Sequence, residues 1–165
     1  MAGSAKSALV LQGGGALGAY ELGAARAFYK DPTFAPDLIA GVSIGAVTAV
    51  LLARPQKPMK PLAALEAFWQ KVTVPAPLFP ELARPYGSFF GNPNFFMPRR
   101  DYLNFFDWDY FYETKPLQRT LEELVDLETL RDKTALPRLL VSATNLRKGQ
   151  IEYFYSDSRD YATDA

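Results

Sequence analysis

Residues 9–45 read LVLQGGGALGAYELGAARAFYKDPTFAPDLIAGVSIG and hold two glycine-rich turns, each between an apolar run and a small-residue helical pattern. The first turn is Gly13-Gly14-Gly15-Ala16-Leu17-Gly18, and the second is Gly41-Val42-Ser43-Ile44-Gly45. Short apolar runs ended by turn residues read as buried strands, which predicts strands over 7–12 and 37–42. Helices are predicted over 16–30 and 44–53. Ala, Leu, Glu and Arg dominate the first, with Lys30 at its end and Pro32 just beyond. Gly18 and Gly23 each weaken that helix by roughly 1 kcal/mol relative to Ala, so both are expected to permit close packing on the sheet. The second helix stops at the cluster Pro55, Pro58 and Pro61. Strand, turn and helix, twice over, make a βαβα unit with parallel strands and a right-handed crossover. Both turns then emerge at the carboxyl ends of strands, the edge where α/β folds bind ligands.

The remaining chain supplies fewer signals. Residues 61–73 predict an amphipathic helix opened by proline. The stretch 74–112 carries Pro75, Pro77, Pro80, Pro85, Pro93 and Pro98 without a clear period, and roughly half of the aromatic residues fall within 86–112. Residues 114–124 predict a helix, 128–132 a further turn, and 138–145 a strand. Gly149 marks a hairpin turn and 150–156 a last strand. At 165 residues the chain is expected to be one domain with an aromatic-rich insert at about 74–112. A formal net charge of zero gives no global basic field, so no nucleic-acid partner is expected. No stretch reaches the ~18–20 apolar residues of a membrane span, and the start has no signal-peptide core. A cytoplasmic or peripheral membrane location is the expectation.

Two absences narrow the chemistry. The chain has no cysteine, which excludes disulfides and a thiolate nucleophile. It has no histidine either, so neither a Ser-His-Asp triad nor a His-ligated metal site can be built. Serine chemistry here needs a different base.

The string G-x-S-x-G between a strand and a helix is the pattern of a nucleophile elbow. Gly41 and Gly45 relieve crowding around Ser43, which would stand at a helix N-terminus where the dipole favours negative charge. The alternative is that Ser43 simply caps the helix. The first turn also has two readings. Gly13-x-Gly15-x-x-Gly18 matches the dinucleotide fingerprint, but that needs an acid at the end of the second strand, and Asp37 lies at its beginning. Alternatively, consecutive glycines present several N–H groups to one oxygen and act as an oxyanion hole. A tight turn without chemistry is the third possibility.

Taken together, LVLQGGGALGAYELG and IAGVSIGAV resemble the patatin-like phospholipase family, related to cytosolic phospholipase A2. The resemblance is close over 8–50 and looser over 139–156. It implies a three-layer α/β sandwich with a mostly parallel central sheet. It also implies hydrolysis of lipid carboxylic esters, of phospholipase A or lysophospholipase type, through a Ser-Asp dyad, which accommodates a chain without histidine. Ser43 would be the nucleophile and Gly13, Gly14 and Gly15 the oxyanion loop, with a phospholipid or other lipid ester as substrate and no cofactor or metal. The position often basic in the family's glycine loop is Leu17 here. The family's aspartate stands in an Asp-Gly-Gly or Asp-Gly-Ala motif, and no Asp-Gly occurs in this sequence. The catalytic Asp is therefore not identified: Asp157, Asp160 and Asp164 lack that context, and the chain is expected to be incomplete at its C-terminus. A lipid-binding or interaction module without catalysis, and a nucleotide-binding α/β protein, remain the alternatives. The aromatic segment 86–112, with Trp108 and Arg99-Arg100, would either touch a membrane surface or pack inward.

Overall fold

The structure is a computed structural model that describes residues 6–73, 92, 94–98, 112–130 and 132–157. Six strands and five α-helices are assigned among them. The strands are β1 (Ala8–Leu11), β2 (Leu38–Val42), β3 (Met97–Pro98), β4 (Tyr112–Glu113), β5 (Arg138–Asn145) and β6 (Gln150–Tyr155). The helices are α1 (Gly18–Phe28), α2 (Ile44–Ala53), α3 (Pro61–Val72), α4 (Lys115–Leu124) and α5 (Leu127–Leu130). The chain divides into two units, one comprising 1–66 and 125–165 and the other 67–124.

In the first unit a four-stranded sheet runs in the order β1-β2-β5-β6. β1, β2 and β5 are parallel; β6 returns antiparallel through the turn at Gly149, whose φ is 63. This is the mixed α/β architecture with a mostly parallel sheet that the paired strand–turn–helix pattern leads one to expect. Register places Ile39 beside Leu139 and Gly41 beside Val141, so these residues share one face. That face packs against α2, which touches β1, β2 and β5. Helix α2 is apolar almost throughout and buries Ile44, Ala49, Leu51, Leu52 and Ala53, making it the centre of the core with Ile39, Leu65 and Leu139. Each large side chain buried this way contributes about 1.5–3 kcal/mol. Val10, Val42, Ile151 and Tyr153 lie on the opposite face and are exposed among the described residues.

Two details differ from the sequence reading. The first helix opens with a 3-10 turn over Gly15–Leu17 before α1 begins at Gly18. Gly23 does not support close packing: it is exposed, and a Cβ built on it would meet nothing within 4 Å. It points outward from α1 instead of toward the sheet.

In the second unit, Asn92 Nδ2 donates to the Val72 carbonyl, and Thr120 Oγ1 donates to the Asn94 carbonyl at 2.8 Å. Phe68 makes edge contacts with Trp69 and Phe95, and Phe95 with Phe96. Most of 74–112, including Trp108 and Arg99-Arg100, lies outside the described residues.

Candidate active site

Ser43 sits between the end of β2 and the start of α2. Its φ of 55 and ψ of −124 make it the one non-glycine residue with positive φ among those described. Such backbone costs on the order of 1–3 kcal/mol and persists only where its surroundings over-determine it. The surroundings here are backbone against backbone. A Cβ on Gly41 would fall 2.2 Å from the Gly45 carbonyl oxygen. One on Gly45 would fall 2.6 Å from the Leu11 carbonyl oxygen and 2.7 Å from that of Gln12. The ends of β1 and β2 and the first turn of α2 thus meet with no room for side chains, and Ser43 is pushed outward as an exposed residue.

The hydroxyl of Ser43 makes no capping hydrogen bond to α2. Its carbonyl accepts from the Ala46 N–H at 2.9 Å and the Val47 N–H at 3.3 Å, so the backbone starts the helix without the side chain. A helix cap therefore does not account for a serine at this position.

The first glycine turn lies alongside. A Cβ on Gly13 would be 3.1 Å from Ser43 Cβ and 3.8 Å from Ser43 Oγ. Gly15, at φ 56, adopts the left-handed conformation that favours glycine. The turn then closes through Leu17 N–H donating to the Gly14 carbonyl at 3.1 Å. The N–H groups of Gly13, Gly14 and Gly15 donate to no acceptor among the described residues. Leu17, at the position often basic in the resembled loop, is 77% exposed.

Among the described residues no carboxylate is hydrogen-bonded to Ser43. Asp157 pairs with Arg138 at 3.0 Å, and register sets Arg138 beside Leu38 at the amino end of the sheet. Ser43 leaves from the other end, beyond the Val42–Ser142 pair, about 16 Å away along the strands. Asp160 and Asp164 lie outside the described residues. Asp37 also stands at the amino end, where its Oδ2 accepts the Ser7 N–H at 2.8 Å. The acid that a dinucleotide site needs at the carboxyl end of β2 is not supplied by Asp37. No group of three or more acidic residues is placed to hold a metal ion among the described residues.

Two buried polar side chains, on α2 and at its far end, have no motif to announce them. Thr48 in α2 is 1% exposed, and its Oγ1 donates to Glu21 Oε2 of α1 at 2.8 Å. Arg54, at the carboxyl end of α2, is also 1% exposed. Its guanidinium donates to the carbonyls of Ala53, Thr129, Ala135 and Pro137 at 2.8–3.1 Å. Burial lowers the Arg54 pKa from its ordinary value, and Asp132 nearby works in the opposite direction. A lone threonine in an apolar helix, and an arginine directly after one, were the available signals.

An α/β protein with an exposed, strained serine at the carboxyl edge of a parallel sheet falls in the class where acyl-transfer chemistry is sought. The sequence profile of the patatin-like phospholipases matches residues 9–163, nearly the whole chain. The chain belongs to that family. No curated protein and no solved structure matches it. No helix among the described residues is long and apolar enough to cross a membrane.

Proposed function

We propose that the protein is a serine lipid acyl hydrolase of the phospholipase A or lysophospholipase type, cleaving carboxylic esters with Ser43 as nucleophile. The observation that carries this reading is the placement of Ser43: exposed, uncapped, at φ 55, with the backbone of Gly13 against it. An aspartate outside the described residues takes the Ser43 Oγ proton as Oγ attacks the ester carbonyl carbon. The N–H groups of Gly13, Gly14 and Gly15 receive the oxyanion. Collapse of the tetrahedral intermediate expels the alcohol portion of the lipid, which takes the proton. Water, deprotonated by the same aspartate, then releases the fatty acid from the acyl-enzyme.

Turnover of a phospholipid in mixed micelles, with release of fatty acid and lysolipid followed by mass spectrometry, tests the reading. Ser43→Ala should abolish product above the no-enzyme rate. Undiminished turnover by a folded Ser43→Ala variant would refute it. A second reading is a lipid-binding module without turnover. Vesicle binding by a folded, full-length protein that releases no fatty acid would favour it.

A further inference from the structure

Helix α1 begins where the first glycine turn ends, and α2 begins directly after Ser43. The distance between oxyanion donors and nucleophile therefore depends on how these two helices are held together. Among the described residues one side-chain hydrogen bond joins them, from Thr48 Oγ1 to Glu21 Oε2. Glu21 is three residues into α1 from Gly18, and Thr48 is five residues from Ser43, so the bond lies within about one and a half turns of both loops.

The chemistry of this bond is costly for a mere fastener. Thr48 Oγ1 also lies 3.1 Å from the Ile44 carbonyl, but a hydroxyl has one proton to give. Glu21 Oε1 is buried with no hydrogen-bond partner among the described residues. Glu21 also lines an open pocket of about 230 Å³ between β1 and α1, whose other walls include Leu9, Val10, Gln12, Tyr20 and Phe28. A buried carboxylate oxygen left without a partner costs stability, and an apolar pair of similar shape would join the helices at least as well. What the apolar pair could not do is fix a register by a directed bond.

We propose that Glu21 and Thr48 are positioning residues. Their hydrogen bond sets the first glycine turn against Ser43, and so the alignment of the oxyanion donors with the attacking oxygen. This role rests on Ser43 being the nucleophile.

The test uses the full-length protein, a p-nitrophenyl acyl ester and a fluorophosphonate probe. In the double variant Glu21→Met/Thr48→Val the thermal midpoint should stay at or above wild type. Its kcat and its rate of Ser43 labelling should fall roughly 10- to 100-fold, with KM nearly unchanged. Thr48→Ser, which keeps the hydroxyl, should restore most of both rates. Wild-type labelling and kcat in a folded Thr48→Val variant would overturn the positioning role while leaving Ser43 as nucleophile. A rise in KM at constant kcat would overturn it too. If the wild-type protein itself is not modified at Ser43, the functional reading falls, and the positioning role with it.

Discussion

At Gly41 and Gly45 an added methyl group has only backbone to displace. Gly45→Ala would drive Cβ into the Leu11 and Gln12 carbonyls, and the turn carrying Ser43 would have to move. A displacement of about 1 Å at a reacting group can cost roughly 100-fold in rate. Ester turnover by Gly45→Ala is expected to fall by at least that factor, measured at matched folded fraction. Gly23 is the opposite case: exposed on α1 with open space around it. Gly23→Ala should stabilise the protein by about 0.5–1 kcal/mol in urea denaturation and leave turnover unchanged. The sequence around them shows only half of the difference between these glycines. Spacing about Ser43 identified Gly41 and Gly45, because an elbow needs small residues at fixed offsets. Gly23 occupied an ordinary helical position, and only the direction it faces decides its role.

Helix α2 links the candidate site to the core at one end and to Arg54 at the other. The guanidinium fork satisfies four carbonyls drawn from Ala53, Thr129, Ala135 and Pro137, so it ties the helix end to the segment preceding β5. Arg54→Met would leave one buried and three part-buried carbonyls without their donor, a fully buried group of this kind costing about 1–3 kcal/mol. A loss of at least 3 kcal/mol in guanidinium denaturation is expected, and Arg54→Lys should recover little of it, because an ammonium lacks the planar fork. Element types were legible in the four-stranded sheet and in α1 to α4, whereas the β3–β4 pair was not, because the stretch around it shows no clear period. Strands β1, β2, β5 and β6 are apolar runs or alternations ended by glycine, proline or polar turns, and α2 is a run too long for a strand. Arg54 was not legible, since three of its four partners lie 75–83 residues on and all offer backbone, which carries no sequence signal. The same holds for Thr48 and Glu21, where a single bond between helices leaves no pattern.

For the whole molecule, several acidic side chains act as local staples. Asp31, Asp126 and Asp132 accept hydrogen bonds from Thr33, Thr129 and Thr134, and these bonds hold their pKa values below the ordinary 3.8. A carboxylate with a depressed folded pKa stabilises the fold above its unfolded pKa, and that contribution is lost as pH falls through the folded value. The thermal midpoint should therefore decline from about pH 4 downward, and Asp→Asn at the three positions should flatten that decline. At the same scale, the proposed reading uses a Ser-Asp dyad in place of a triad because the sequence holds no histidine, and with no Asp-Gly in the sequence the second member of that proposed dyad is unassigned. The central claim remains that Ser43 is a nucleophile without histidine. Reaction of the full-length protein with a fluorophosphonate, followed by peptide mapping, tests it most directly. A single adduct on Ser43, lost in Ser43→Ala, is the expected result; no adduct on the folded protein, or an adduct on another serine, would contradict it.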